Sequence, residues 1–211
     1  MDKLLVYRCD LYLALSELLK EPSAEIIHEL PDIVAFLEEA FSILCCPIPP
    51  SLFQSWPALA PDLVVLRKAY SQSFTYPPNK RVFPLESMYR PWTNDQSAGL
   101  PGAHDLGYLL SDAAIHMLTL YNIYGLTAPE EYHAAPDHLC LQLEFAAHLL
   151  TSGHEDRLQT FLAEHLDWVK KLANDAAAAP INLFYSRVIA VTALFLDYEQ
   201  ERMGNKETDS I

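Results

Sequence analysis

The sequence predicts an all-α fold: a single-domain helical bundle over residues 1–203, with a long Pro-rich loop in mid-chain and a polar C-terminal tail at 204–211. Three observations carry that expectation. Every long apolar pattern repeats at the three- and four-residue spacing that lines one face of a helix. No run alternates apolar and polar residues as a half-buried strand does. Prolines and glycines fall mainly between the periodic stretches, where they act as stops. With 51% hydrophobic residues, a chain of 211 residues has enough apolar surface for a sizeable core.

Each element follows in turn. Residues 3–20 place Leu4, Leu5, Leu11, Tyr12, Leu15, Leu18 and Leu19 on a wide face, and Pro22 ends the pattern because proline disfavours helix in the residue before it. Ser23 is placed to cap a short helix with Ile26, Ile27 and Leu30 inward. Pro31-Asp32 is expected to open a separate helix running to about Cys46, and Pro47-Ile-Pro-Pro forces a turn. Pro61-Asp62 starts a helix ending near Phe74. Residues 76–102 then contain prolines 77, 78, 84, 91 and 101, an irregular connection of a length that is uncommon in compact domains and often functional. A helix is predicted over 103–124, with Leu106, Leu109, Leu110, Ala113, Met117, Leu120 and Tyr124 on one face and Gly125 past its end. Pro136 opens the next helix, which ends near Gly153. Two shorter helices cover about 154–177, and Pro180 begins a long apolar helix through Glu201.

The charge of −14 divides as −6 over residues 1–125 and −8 over 126–211. So acidic a surface repels nucleic-acid phosphates and anionic lipid, and favours basic partners. No apolar run reaches the ~18 residues of a membrane span. Lys3 precedes an apolar stretch in the manner of a signal peptide, but Arg8, Asp10 and Glu17 interrupt it and no small-residue cleavage site follows. A cytoplasmic protein without stable membrane insertion is the expectation. Cys9, Cys45, Cys46 and Cys140 form no zinc spacing, so buried free thiols are expected.

Catalytic motifs are largely missing. There is no phosphate loop, dinucleotide fingerprint, zinc-protease helix or nucleophile elbow, and six glycines leave little with which to build a phosphate cradle. Glu25 and His28 have the spacing of one di-iron pair, but that chemistry needs a second such pair and further carboxylates, so a surface pair is expected. Glu144 and His148, one turn apart, are expected to hydrogen-bond to each other. His104-Asp105 with Asp137-His138 suggests a metal phosphohydrolase dyad, without the additional histidines in recognisable places. No metal, cofactor or catalytic residue is assigned.

Two segments carry more. Pro136 suits the first turn of a helix because its missing N–H has no partner there, Asp137 faces the positive end of the helix dipole, and His138 follows. Behind them Leu139, Leu143, Ala146 and Leu150 form an apolar face. In the second segment, 70–92, Tyr70 and Phe74 lie one turn apart before a loop rich in aromatics and proline. Such surfaces suit an apolar peptide, since little side-chain entropy is lost on binding. Glu86 is placed to receive a guanidinium. The alternative is that these aromatics pack the loop onto the bundle.

Pro84-Leu-Glu-Ser-Met-Tyr89 after an aromatic-ended helix, then Pro136-Asp-His-Leu139 opening a helix with Leu143-Glu-Phe145, resembles the TorD/DmsD/NarJ family of redox-enzyme maturation chaperones. His165-Leu-Asp-Trp168, an alanine-rich gap and Phe184-Tyr185 extend the resemblance over roughly residues 5–200. It implies an all-helical, non-enzymatic cytoplasmic chaperone for a molybdopterin-containing oxidoreductase. Its partners would be the molybdoenzyme catalytic subunit and its twin-arginine signal peptide, with export delayed until the cofactor is inserted. By position, the family's peptide surface maps onto Tyr70, Phe74, Pro84, Leu85, Glu86, Ser87, Tyr89, Pro136, Asp137 and His138. Ala134-Ala135 stands where the family commonly has Glu-Pro, so one carboxylate is absent. Monomer and domain-swapped dimer both fit. The alternatives are a nucleotide or phosphate hydrolase using Asp137-His138, and an assembly factor for a subunit that is not exported.

Overall fold

The computed structural model describes residues 2–74 and 82–208, without the side chains of 205–208. Nine α-helices are found among these residues: α1 (Lys3–Leu18), α2 (Ala24–Ile43), α3 (Trp56–Leu59), α4 (Leu63–Phe74), α5 (Asp112–Ile123), α6 (Leu139–Thr151), α7 (Glu155–His165), α8 (Val169–Ala178) and α9 (Leu183–Thr208). Short 3-10 turns occupy Pro50–Leu52, Glu86–Met88 and Glu130–Tyr132, and no strand is present among the described residues. The fold is all-α. No helix among them is long and apolar enough to cross a membrane.

Helix α6 lies at the centre. Leu139, Leu143, Ala146 and Leu150 are buried as the periodicity predicts, but so are Cys140, Leu141, Gln142 and Phe145, so the helix is enclosed nearly all round. It packs on α1 and α7, while α1 also meets α2 and α9, and α8 packs along α9. An ion-pair cluster, buried at Arg8 and Glu199 and exposed at Glu155, ties α1, α7 and α9 together. Arg8 Nη2 lies 2.8 Å from Glu199 Oε2 and Arg8 Nη1 lies 2.5 Å from Glu155 Oε1, with Tyr12 Oη donating to Glu199 at 3.2 Å. A buried charge requires such pairing, because desolvating it alone is costly.

Three elements differ from the sequence expectation. Pro31 does not divide two helices; it lies inside α2. Ile26, Leu30, Leu37 and Phe41 are buried on one continuous face across it, while Pro31 itself is exposed. The carbonyl that loses its donor therefore lies on the side that water reaches, and burial of the face outweighs the propensity cost.

The helix expected over 103–124 begins only at Asp112. Residues 103–106 pair instead with 91–93: Trp92 N–H donates to the Asp105 carbonyl at 3.1 Å and Thr93 N–H to the Ala103 carbonyl at 3.0 Å. Gly107 (φ 91°) and Leu110 (φ 54°) adopt left-handed backbone that an α-helix cannot contain. Of the irregular region expected over 76–102, residues 76–81 lie outside the described residues.

At α6, Pro136 and Asp137 precede the helix and His138 is its N-cap, not a residue of the first turn. Cys45 is also exposed, with φ 55°, whereas Cys9, Cys46 and Cys140 are buried free thiols.

Candidate functional site

Residues 84–87 and 136–139 are fastened to each other by their backbones. Leu85 and His138 form an isolated antiparallel bridge, in which Leu139 N–H donates to the Pro84 carbonyl at 2.8 Å and Glu86 N–H to the Asp137 carbonyl at 3.3 Å. This pairing explains why α6 starts late: its approach segment is extended to meet a second chain segment. Tyr121 of α5 closes one side by donating to the Pro136 carbonyl at 2.9 Å.

Asp137 reinforces the clasp. Its Oδ2 accepts from Ser87 N–H at 2.6 Å and from the Ser87 hydroxyl. The residue is 1% exposed, and no donor reaches Oδ1 among the described residues. Burial pushes its carboxyl above the ordinary range despite the Ser87 bonds, which act the other way.

His138 caps α6 with its ring. Nδ1 accepts from Cys140 N–H at 3.2 Å and lies 2.9 Å from Cys140 Sγ, while Tyr132 packs on the ring with centroids 5.2 Å apart. A backbone donor at Nδ1 assigns the neutral ring's proton to Nε2. Burial pushes His138 down to about 4 and the Cys140 thiol up to about 12. Neither is a charged nucleophile at neutral pH.

Glu86, also 1% exposed, sits at the hub of a second network. Its Oε2 accepts from Gln142 Nε2 at 2.6 Å and faces His165 Nδ1 at 2.9 Å, and its Oε1 accepts from Arg90 Nε at 3.1 Å. His165 Nε2 in turn lies 2.8 Å from His116 Nδ1. Arg90 reaches on to the Glu164 carbonyl at 2.7 Å and to the Asp167 carboxylate. Trp168 Nε1 donates to the His165 carbonyl at 2.8 Å, and the Tyr89 ring stacks on Trp168. The Glu86 carboxylate is thus fully engaged within the chain, by a guanidinium among others.

Tyr70 and Phe74 lie on α4, edge-on to each other and both against Tyr185 of α9. Phe74 is buried and Tyr70 half-buried, with burial pushing the Tyr70 phenol up to about 12. The end of α4 joins the clasp segment through Val82 N–H, which donates to the Ser73 carbonyl at 3.2 Å.

The structure therefore brings Pro84, Leu85, Glu86 and Ser87 against Pro136, Asp137 and His138, with Tyr89 beyond them on Trp168 and Tyr70 and Phe74 on the α4–α9 seam. Ala134 is exposed and Ala135 half-buried just ahead of the clasp. Arg90, Gln142, His165 and His116 join the site without being among the residues expected from the sequence. Two signals are present in the sequence: Gln142 stands between Leu141 and Leu143 on the buried side of α6, and His165 belongs to the His165-Leu-Asp-Trp168 motif, which carries no site role there. The expected Glu144–His148 hydrogen bond does not form: Glu144 pairs with Lys20 at 2.7 Å and accepts from Ser16, while His148 faces Ser152. His104 and Asp105 are exposed, whereas Asp137 and His138 are buried. No group of three or more potential metal ligands occurs among the described residues.

An acidic, all-helical bundle whose buried carboxylates fasten one chain segment to another has the makings of a protein-handling scaffold. The sequence pattern of the nitrate reductase delta subunit family matches residues 58–174, more than half of the chain and including both halves of the clasp. The chain belongs to that family, whose members serve as molybdoenzyme maturation chaperones rather than catalysts and work with the nitrate reductase catalytic subunit. No curated protein matches the chain.

Proposed function

We propose that this chain is a cytoplasmic chaperone that binds the precursor of a molybdopterin-containing oxidoreductase through its twin-arginine signal peptide, holding it until the cofactor is inserted. The observation that carries the reading is the state of two buried carboxylates. Glu86 already holds a guanidinium, that of Arg90, and Asp137 keeps one oxygen without a donor among the described residues. A leader with two adjacent arginines offers the groups these carboxylates accept, in charge-assisted and bidentate bonds.

Access requires residues 84–90 to lift from α6 and α7, with an incoming arginine replacing Arg90 at Glu86. Lifting also uncovers Pro84 and Leu85, which follow the segment tied to the end of α4 that carries Tyr70 and Phe74, and frees Tyr89 from Trp168, an apolar surface for the stretch that follows the arginines. Ser87 loses its acceptor as Asp137 gains a new donor, and His138 holds the start of α6 in place throughout. Apolar burial at about 25 cal/mol per Å² supplies most of the affinity, and the arginine contacts supply selection.

The test is a titration of a fluorescent Arg-Arg leader peptide and its Gln-Gln analogue. The expected result is selective binding of the Arg-Arg form. Phe74→Ala weakens it at all salt concentrations, while the loss from Glu86→Gln shrinks as salt rises. Equal affinity for both peptides overturns signal recognition. A client lacking its leader that still co-purifies at full strength makes the chain an assembly factor that grips the folded subunit instead.

A further inference from the structure

Among the described residues, exposed large apolar side chains gather on the outer face of α5 and in the residues before it. Ile115 is 52% exposed, Leu118 38% and Ile123 68%. Immediately upstream, residues 104–110 are all exposed and include Leu106, Tyr108, Leu109 and Leu110. Large side chains gathered in this way mark an interaction site more often than isolated ones do. Beside α5 a cavity of about 710 Å³ opens toward α7, with Leu120, Tyr124 and Phe161 among its walls and Glu164 and Arg157 also lining it.

Charge identifies what fits there. No Lys or Arg occurs anywhere from Pro91 to Asp156, a stretch that contains Asp95, Asp105 and Asp112 on or beside the segments of this face. The nearest cations on the α7 side are already paired, Arg157 with Asp156 at 3.6 Å and Arg90 with Glu86 at 3.1 Å. An anionic membrane or a nucleic acid is repelled by such a surface. An apolar stripe flanked by lysine or arginine is complementary to it, and a helix in a groove is the common way of presenting one.

Residues 104–110 add a second feature. Their leucines are spaced for a helix, yet Leu110 is held at φ 54°, a left-handed conformation unfavourable for a bulky side chain. A partner that covers these leucines removes them from water and gives the segment reason to continue α5 toward its N-terminus.

We propose that the exposed face of α5 together with residues 104–110 is a docking surface for a cationic amphipathic helix of a partner protein. The cavity beside it shares His116 and His165 with the network around Glu86, but the apolar side chains of the surface are not among the residues of the clasp, and the proposal stands whether or not the clasp reads a signal peptide. Trp92 borders it and provides a probe, being 38% exposed while Trp56 and Trp168 are buried.

The test uses the full chain and two synthetic helices of about 18 residues, one of Leu and Lys and the other of Leu and Glu at the same amphipathic spacing. The Leu/Lys helix is expected to shift Trp92 emission and to slow amide exchange over 104–123, and the Leu/Glu helix to do neither. Changing Ile115, Leu118 and Ile123 together to Ser lowers Leu/Lys affinity about tenfold or more, as for the centre of an interface. The thermal midpoint is expected to stay in place because these side chains are exposed. Asp105→Asn with Asp112→Asn reduces the salt dependence. Unchanged affinity in the triple variant overturns the proposal, as does protection confined to 82–90 and 136–139. Concentration-dependent self-association that the triple variant abolishes assigns the face to a second copy of the chain, and equally overturns it.

Discussion

Asp137 and Ser87, fifty residues apart, share one carboxylate oxygen: the Ser87 N–H donates to Asp137 Oδ2 at 2.6 Å and the Ser87 hydroxyl donates to the same atom. Asp137→Ala leaves a buried N–H and a buried hydroxyl without an acceptor, at a cost of about 1–3 kcal/mol each before any relaxation. Asp137→Asn keeps a carbonyl oxygen for Ser87 and removes a desolvated charge, so its loss is much smaller. Urea unfolding is expected to rank wild type and Asn together and Ala well below. Equal midpoints for Ala and Asn contradict the assignment of Asp137 as the clasp's acceptor.

Much of this arrangement is legible in the sequence, and the parts that are not have physical causes. The buried residues Leu11, Tyr12, Leu15 and Leu18 of α1 and Leu139, Leu143, Ala146 and Leu150 of α6 follow from periodicity, because each side chain's environment is set by its own helix, whereas Leu4, expected on the same face of α1, is exposed at the helix start. Pro136-Asp-His138 stands out because a proline followed by an acidic residue is a local helix-start signal, and Pro84-Leu-Glu-Ser87 because it lies in a stretch rich in proline and aromatics. That the two segments pair is not local: Leu85 and His138 meet through an antiparallel bridge that no spacing announces. The same holds for His165, which reaches Glu86 across 79 residues, and for Gln142 across 56. The late start of α5 is another tertiary effect, since residues 103–106 satisfy their backbone against 91–93. Local pattern gives propensity, and the competing partner decides.

His138 gives the acid side of the stability profile a defined slope. Its folded value of about 4 lies below the ordinary imidazole value near 6.5. The unfolded chain therefore binds more protons between those values, and the contribution is complete above the unfolded value and lost as pH falls through the folded one. From pH 7 to pH 5 this one group accounts for roughly 2 kcal/mol of lost stability. His138→Asn retains an N-cap acceptor for Cys140 N–H and has no proton to gain. Its stability is expected to change less than wild type over that interval, by about the same amount. Parallel profiles for the two proteins exclude His138 as the source.

Pro31 offers a test of how α2 is held together. The residue is exposed within the helix, and its ring removes one intrahelical hydrogen bond without filling any core space. Pro31→Ala restores the N–H donor and a better propensity, worth up to about 3 kcal/mol in a helix interior. The gain is reduced because proline also restricts the unfolded chain. A net stabilisation of about 1–2 kcal/mol is expected in thermal or urea unfolding. A destabilised variant indicates that the proline fixes a bend on which the α1–α2 packing depends.

Arg90 separates a structural role for the clasp from a gating one. Its guanidinium spans Glu86, the Glu164 carbonyl and Asp167, yet its side chain is 28% exposed and the residue lies outside the main core. Arg90→Ala removes the internal competitor for Glu86 and loosens the hold of residues 84–90 on α7. Solvent and the remaining Gln142 and His165 contacts limit the global cost to roughly 1–3 kcal/mol. Amide exchange across 85–92 is expected to quicken by more than the change in global stability explains. If the clasp opens to admit arginines, the same variant binds an Arg-Arg leader more tightly than wild type, because the conformational cost of opening is partly removed. Faster exchange with weaker leader binding makes Arg90 a direct contributor to the peptide surface. Unchanged exchange over 85–92 removes Arg90 from the clasp altogether.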